Sequence, residues 1–304
     1  MQEYFAEARA ILKDAIVIDT LGGAVVHPTP FVAEGTYEET MVGDGWTALH
    51  TTLVSEPSYT PTWEQVQRAI YENLLNFEMS PKVRHVEQLQ DFYEAKKNGQ
   101  LGVIFGIQSP SCIGQERERI RILYKLGLRT LQLTYMERNW LGDGCLEPEN
   151  KGLTHFGMQV VRECNRLGIL IDCSHVGQQT TLDAIRHSEK PIVISHTAIR
   201  AITENPRCVT DEQMKAVADK GGAIGITTFS PFIRTDRQPR STTISTILTT
   251  RSISSERITS PSPPTGSMAR PRPTGRPPGT TRRSRKGRNS ADWAWWDSAS
   301  DPSS

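Results

Sequence analysis

The sequence predicts an α/β fold of the (β/α)8 barrel type, incomplete at its last βα unit and followed by a tail of different composition. Three observations predict it. Short runs rich in Val and Ile recur between stretches of helical length, which is the pattern of a buried parallel sheet. No Gly-x-Gly-x-x-Gly follows the first run, where a dinucleotide-binding open sheet would carry one. Polar residues instead close several separate runs: Asp19, Gln108, Tyr135, His175 and His196. Barrel enzymes assemble their sites at such strand ends.

In chain order, the first strand is expected at 15–20 (Ala-Ile-Val-Ile-Asp-Thr) and the second at 47–54. Residues 62–78 and 84–98 then space apolar side chains at i, i+3 and i+4 with charged residues between, which predicts two helices. The pattern continues as strand 101–108, helix 115–126, strand 130–135, helix 154–167 and strand 169–175. It closes with helix 178–187, strand 191–196, helix 211–219 and strand 221–229. Gly99, Gly127 and Gly168 each follow a helix and precede a strand, where a left-handed cap belongs. That makes seven strands, with no eighth in the regular pattern.

The chain has 304 residues, 37% hydrophobic and 23% charged, enough to bury a sizeable core. No stretch approaches the roughly 18 uninterrupted apolar residues of a bilayer crossing, and the first 20 residues form no secretory apolar region. A soluble, cytoplasmic protein is expected. The five cysteines (Cys112, Cys145, Cys164, Cys173, Cys208) are scattered and never form Cys-x-x-Cys, which argues for reduced structural thiols rather than disulfides or a cysteine zinc site.

A formal charge of +1 conceals an asymmetry: residues 1–240 carry 25 Lys and Arg against 30 Asp and Glu, whereas 241–304 carry 10 against 4. In that last segment 24 of 64 residues are Ser or Thr and only 13 are hydrophobic, too few to offset the entropy of ordering. The expected organisation is a β/α barrel over 1–240 and a basic low-complexity tail over 241–304. No aromatic interleaving accompanies the tail's Arg282-Arg283-Ser284-Arg285-Lys286, so nucleic acid is not an expected partner.

The sharpest chemical signal is a pair of Ser-His dipeptides. His175 ends Ile-Asp-Cys-Ser-His and His196 ends Ile-Val-Ile-Ser-His, so two neutral imidazoles can converge at a barrel mouth and bind a divalent metal. Each taken alone is more simply a hydrogen-bonded strand-end histidine. Asp19 suits a carboxylate ligand or orienting acid, and equally a helix cap. Arg207, in Asn-Pro-Arg, can clamp a substrate carboxylate through its planar fork or stand solvated in its loop. Asp143 and Asp172 have roles that spacing alone leaves open.

Several motifs, in this order, resemble the membrane (renal) dipeptidase family in its bacterial branch. They are Leu131-Gln132-Leu133-Thr134-Tyr135, Asn139-Trp140-Leu141-Gly142-Asp143-Gly144-Cys145, Gly152-Leu153-Thr154-His155-Phe156-Gly157, Asp172-Cys173-Ser174-His175-Val176 and Ile194-Ser195-His196-Thr197. The resemblance runs from about Ile16 to Phe232. It implies a metal-dependent amidohydrolase-type barrel that cleaves dipeptides. It implies zinc on His175 and His196, Asp19 and Gln108 at catalytic positions, and Arg207, Tyr135 and Asn139 facing the substrate. A homodimer is the assembly to test.

The chain departs from the family where the family's His-x-Asp follows strand 1: those positions are Leu21 and Gly23. The bridging Glu after strand 3 is Gln108, and a substrate-facing His is Tyr135. Leucine and glycine side chains cannot ligate zinc, and a neutral amide does not balance two cations. One ion is therefore expected rather than two, with a metal-free ligand-binding homologue as the alternative. The family's strand with a catalytic Asp is also missing. When codons for residues after 240 are re-read from their third bases, an amphipathic helix and a strand ending in Asp become available, which points to a shifted reading frame.

Overall fold

A computed structural model describes residues 10–22, 37–54 and 60–227. Within them the strands are β1 (Ile18–Asp19), β2 (Ala48–Thr52), β3 (Val83–His85), β4 (Leu101–Ile107), β5 (Leu128–Gln132), β6 (Leu170–Asp172), β7 (Ile192–Thr197) and β8 (Ala223–Ile226). The helices are α1 (Tyr37–Gly43), α2 (Trp63–Met79), α3 (Leu89–Asn98), α4 (Glu118–Lys125), α5 (His155–Leu167), α6 (Gln178–His187) and α7 (Asp211–Asp219). Every strand pairing is parallel, in the order β1-β2-β4-β5-β6-β7-β8. These are the seven expected staves of an incomplete barrel.

β3 departs from expectation. Residues 84–88 belong to the helix predicted at 84–98, yet Val83, Arg84 and His85 pair with Leu101, Gly102 and Val103. β2 already occupies one edge of β4 over 102–106, so β3 and β5 share the other, β3 at its start and β5 at its end. α1 was also unforeseen.

The sheet has two apolar faces, as a parallel sheet between helices must. Leu49, Val103, Phe105, Leu131, Ile171 and Ile194 face the main core, with Val66 and Ile70 of α2, Ile120 and Leu123 of α4, Val160 and Val161 of α5 and Val217 of α7. The alternate residues Ala48 and Ile104 point the other way and pack with Phe92 of α3. α3 therefore lies against the inside of the curl.

Local signals fix the helix ends. Thr154 caps α5 by accepting the Gly157 amide at 2.9 Å, and its own hydroxyl donates to the Trp140 carbonyl at 2.7 Å. Gly168 ends that helix in the left-handed conformation (φ 78°), as its position predicts. Curling brings distant strands together: the Thr20 hydroxyl after β1 donates to the Ser195 carbonyl in β7 at 2.7 Å. The segment 241–304 lies outside the described residues. No helix among the described residues is long and apolar enough to cross a membrane.

Candidate active site at the barrel mouth

β6 and β7 deliver the two Ser-His dipeptides to one place. His175 and His196 are 4% and 8% exposed, with their Nε2 atoms 2.7 Å apart. His175 adopts φ 63°, a left-handed backbone that a residue with a Cβ rarely occupies. Tyr135 stacks on the His175 ring at 4.1 Å between centroids. Met136, next in the chain, is the other non-glycine residue with positive φ (57°) among those described. Strain of this kind gathers at functional sites.

A hydrogen-bonded chain sets the His196 tautomer. Asp172 is 1% exposed. Its Oδ1 accepts the Ser174 and Ser195 amides at 2.9 and 3.0 Å and the Ser174 hydroxyl at 2.8 Å. Its Oδ2 accepts the Ser195 hydroxyl at 2.5 Å. With its proton committed there, Ser195 Oγ accepts from His196 Nδ1 at 2.7 Å. Nδ1 therefore carries the hydrogen and Nε2 is bare, the form that can ligate a metal. Facing it, His175 Nε2–H donates to that lone pair, and His175 Nδ1 is buried without a hydrogen-bond partner.

Electrostatics keep both rings neutral. Burial lowers the pKa of His196 to about 3, against the pull of Asp172. Burial, then the Arg207 charge, then His196, push His175 well below the usual imidazole range. Arg207 is 4% exposed, and its Nη2 donates to the His196 carbonyl at 2.6 Å. Burial lowers its pKa from the ordinary guanidinium value.

Gln108 reaches the same cluster, its Nε2 3.3 Å from His196 Nε2. The site thus gathers His175, His196, Gln108, Tyr135 and Arg207. Asn139 is engaged by its own loop: Nδ2 donates to the Leu133 carbonyl at 2.9 Å and Oδ1 accepts the Leu141 amide at 2.8 Å. Asp19 Oδ1 accepts the Leu21 amide at 3.1 Å, a local turn cap. Asp143 braces the same loop as Asn139, binding Arg138 and the Lys151 amide. Sequence reasoning missed Asp172, Ser174 and Ser195 as a unit. The signal was the Ser before each His, paired with an Asp two positions before Ser174.

The donor set tests the metal. Two converging Nε2 atoms and the relay behind His196 suit one ion held by two imidazoles. Among the described residues no group of three or more His, Cys, Asp or Glu is placed to hold an ion, so the two imidazoles are the donors they offer. Leu21 is half-buried, Gly22 is buried, and position 23 lies outside the described residues.

Comparisons place the chain. The profile of the membrane dipeptidase family (peptidase family M19) matches residues 41–252. An amidohydrolase from Pseudomonas aeruginosa is similar at TM-score 0.65 and 32% identity, over 74% of this chain and 66% of that one. A metallo peptidase from Rhodobacter sphaeroides, liganded with a phosphinate mimic of the dipeptide L-Ala-D-Ala, shares the fold at TM-score 0.67 and 20% identity. That likeness covers 77% of this chain and 81% of the other. The probable dipeptidase PvdM from Pseudomonas aeruginosa has TM-score 0.64 and 20% identity, over 77% of this chain and 65% of its own length. The chain thus spans about two thirds of the amidohydrolase and of PvdM. With residues 41–252 of its 304 inside one family match, and a curled parallel sheet of the expected kind, the chain belongs to the membrane dipeptidase family.

Proposed function

We propose that this protein is a metal-dependent hydrolase of dipeptides or similar small amides, with one divalent ion, zinc, held by His175 and His196. The observation that carries the reading is the 2.7 Å approach of two buried Nε2 atoms, one of them fixed bare by the Asp172–Ser195 relay. A bound ion would lower the pKa of a coordinated water toward neutrality, supplying a nucleophile at physiological pH.

The chain's own residues do the rest. Ser195 and Asp172 keep the His196 ring in register and hold its proton at Nδ1. The buried Arg207 fork offers charge-assisted hydrogen bonds to a substrate carboxylate. Tyr135 covers the His175 ring and narrows the mouth. Gln108, at a catalytic position in the family resemblance, contributes an amide rather than a charge, and Asp19 and Asn139 shape the neighbouring loops. The setting is the cytoplasm, and the assembly a homodimer.

A second reading has its own observation. The His175–His196 hydrogen bond satisfies both facing nitrogens without any ion, and Gln108 adds no charge to attract one. This favours a metal-free barrel that binds a small ligand without cleaving it. Metal analysis of the purified full chain separates the two. The hydrolase reading expects about one equivalent of zinc that vanishes in His175→Ala. No bound metal, with no hydrolysis of a dipeptide panel after zinc is added, selects the binder.

A further inference from the structure

The two imidazoles at the mouth are not held in the same way. His196 has the Asp172–Ser195 relay behind its Nδ1, whereas His175 Nδ1 is buried without a hydrogen-bond partner. No outer side chain fixes the His175 ring through that nitrogen. Its aim at His196 comes instead from the stacked Tyr135 ring and from a backbone held at φ 63°. Such a conformation persists only where the surroundings over-determine it.

The loop 136–151 supplies those surroundings. Cys145 donates its amide to the His175 carbonyl at 2.9 Å, and Gly144 bridges Val176 in antiparallel fashion. The Gly177 amide donates to the Asp143 carbonyl at 2.9 Å, while the Asp143 amide donates to the Thr180 hydroxyl at 3.1 Å. Residues 143–145 thus grip 175–177 along the strained turn. The loop is folded so tightly that a Cβ at position 144 would stand 2.1 Å from the Met136 carbonyl oxygen, which glycine alone avoids.

One side chain closes this loop. Asp143 is 3% exposed; its Oδ1 accepts Arg138 Nε at 2.5 Å from one end of the loop, and its Oδ2 accepts the Lys151 amide at 2.6 Å from the other. Both oxygens accept, so an amide side chain in the same place satisfies only one of the two donors.

We infer that Asp143 is the positioning residue for His175: its carboxylate latches the 136–151 loop, and the latched loop holds the left-handed turn that aims His175 Nε2 at His196. What that aim is for rests on the metal-dependent reading above, but the turn itself is present without an ion.

The test compares Asp143→Asn with Thr62→Ala in the full chain. Thr62→Ala removes the cap of α2 and hydrogen-bonds to none of these residues, so it shows what lost stability alone does. Asp143→Asn is expected to weaken zinc binding about tenfold in competition with a chelating dye. In long-range proton–nitrogen spectra of the metal-free protein it should move the His175 ring signals, while the His196 Nδ1 signal, held by Ser195, stays in place. Thr62→Ala should change neither. If Asp143→Asn does not fold, Arg138→Ala, at a half-exposed side chain, makes the same test with an expected loss of about threefold. A folded variant with wild-type zinc affinity and unmoved His175 signals overturns the inference, as does an equal loss in Thr62→Ala. A wild-type chain that binds no zinc overturns the metal reading alone, and the metal-free spectra then decide the role of Asp143.

Discussion

Asp172 forms no salt bridge with the described residues and still accepts four hydrogen bonds, two from amides and two from serine hydroxyls. Its effect reaches the mouth through Ser195, which turns the carboxylate into a constraint on His196. Outer partners of this kind typically govern metal affinity by about 10- to 100-fold. Ser195→Ala should therefore weaken zinc binding about tenfold or more in competition with a chelating dye while leaving the fold intact by circular dichroism. An unchanged affinity would show that the relay does not hold the ring. The buried imidazoles also set a pH dependence. His50, His175 and His196 all have folded pKa values below the unfolded value of about 6.5, so below that pH the unfolded chain binds more protons. Stability of the metal-free protein is then full above about pH 7 and falls as pH drops toward the folded values, by up to about 1.4 kcal/mol per pH unit for each ring. Urea midpoints flat between pH 7 and 5 would contradict this. The two histidines were legible because each ends an apolar run. The relay was not, because its partners are 21 to 23 residues apart and meet only when β6 and β7 pair.

Among the elements, those with strong periodicity were legible and those set by pairing were not. The four long central strands and α2, α5, α6 and α7 announce themselves through apolar spacing and capping residues. β3 escaped notice because three residues carry no period, and Val83-Arg84-His85 sits directly before a helical pattern that absorbs it. Only the free lower edge of β4 makes it a strand. α5 shows how much a single cap decides. Thr154 satisfies one orphan amide and also ties the helix to the loop carrying Asn139. Thr154→Ala should cost about 1 kcal/mol, read as a lower urea midpoint with an unchanged slope. A shift well under half of that would mean that the packing of Val160, Val161 and Cys164 anchors the helix without help.

For the whole molecule, the described sheet runs from β1 to β8 without an eighth stave between them. Open parallel edges invite pairing with other chains, which closed barrels avoid. A broad thermal transition whose midpoint falls as protein concentration rises is the expected behaviour, with light scattering growing alongside it. One sharp, reversible transition, the same at every concentration, would mean that the edges are covered. The curl itself was foreseeable from the alternation of strands and helices, but its fastening was not. The Thr20–Ser195 hydrogen bond joins groups 175 positions apart. Contacts of such long sequence separation are slow to form, since the intervening loop must lose its freedom first. During synthesis the segment around Thr20 therefore waits unclasped until β7 has left the ribosome, and for that interval the barrel's first strand is the part of the nascent chain most open to capture by a chaperone.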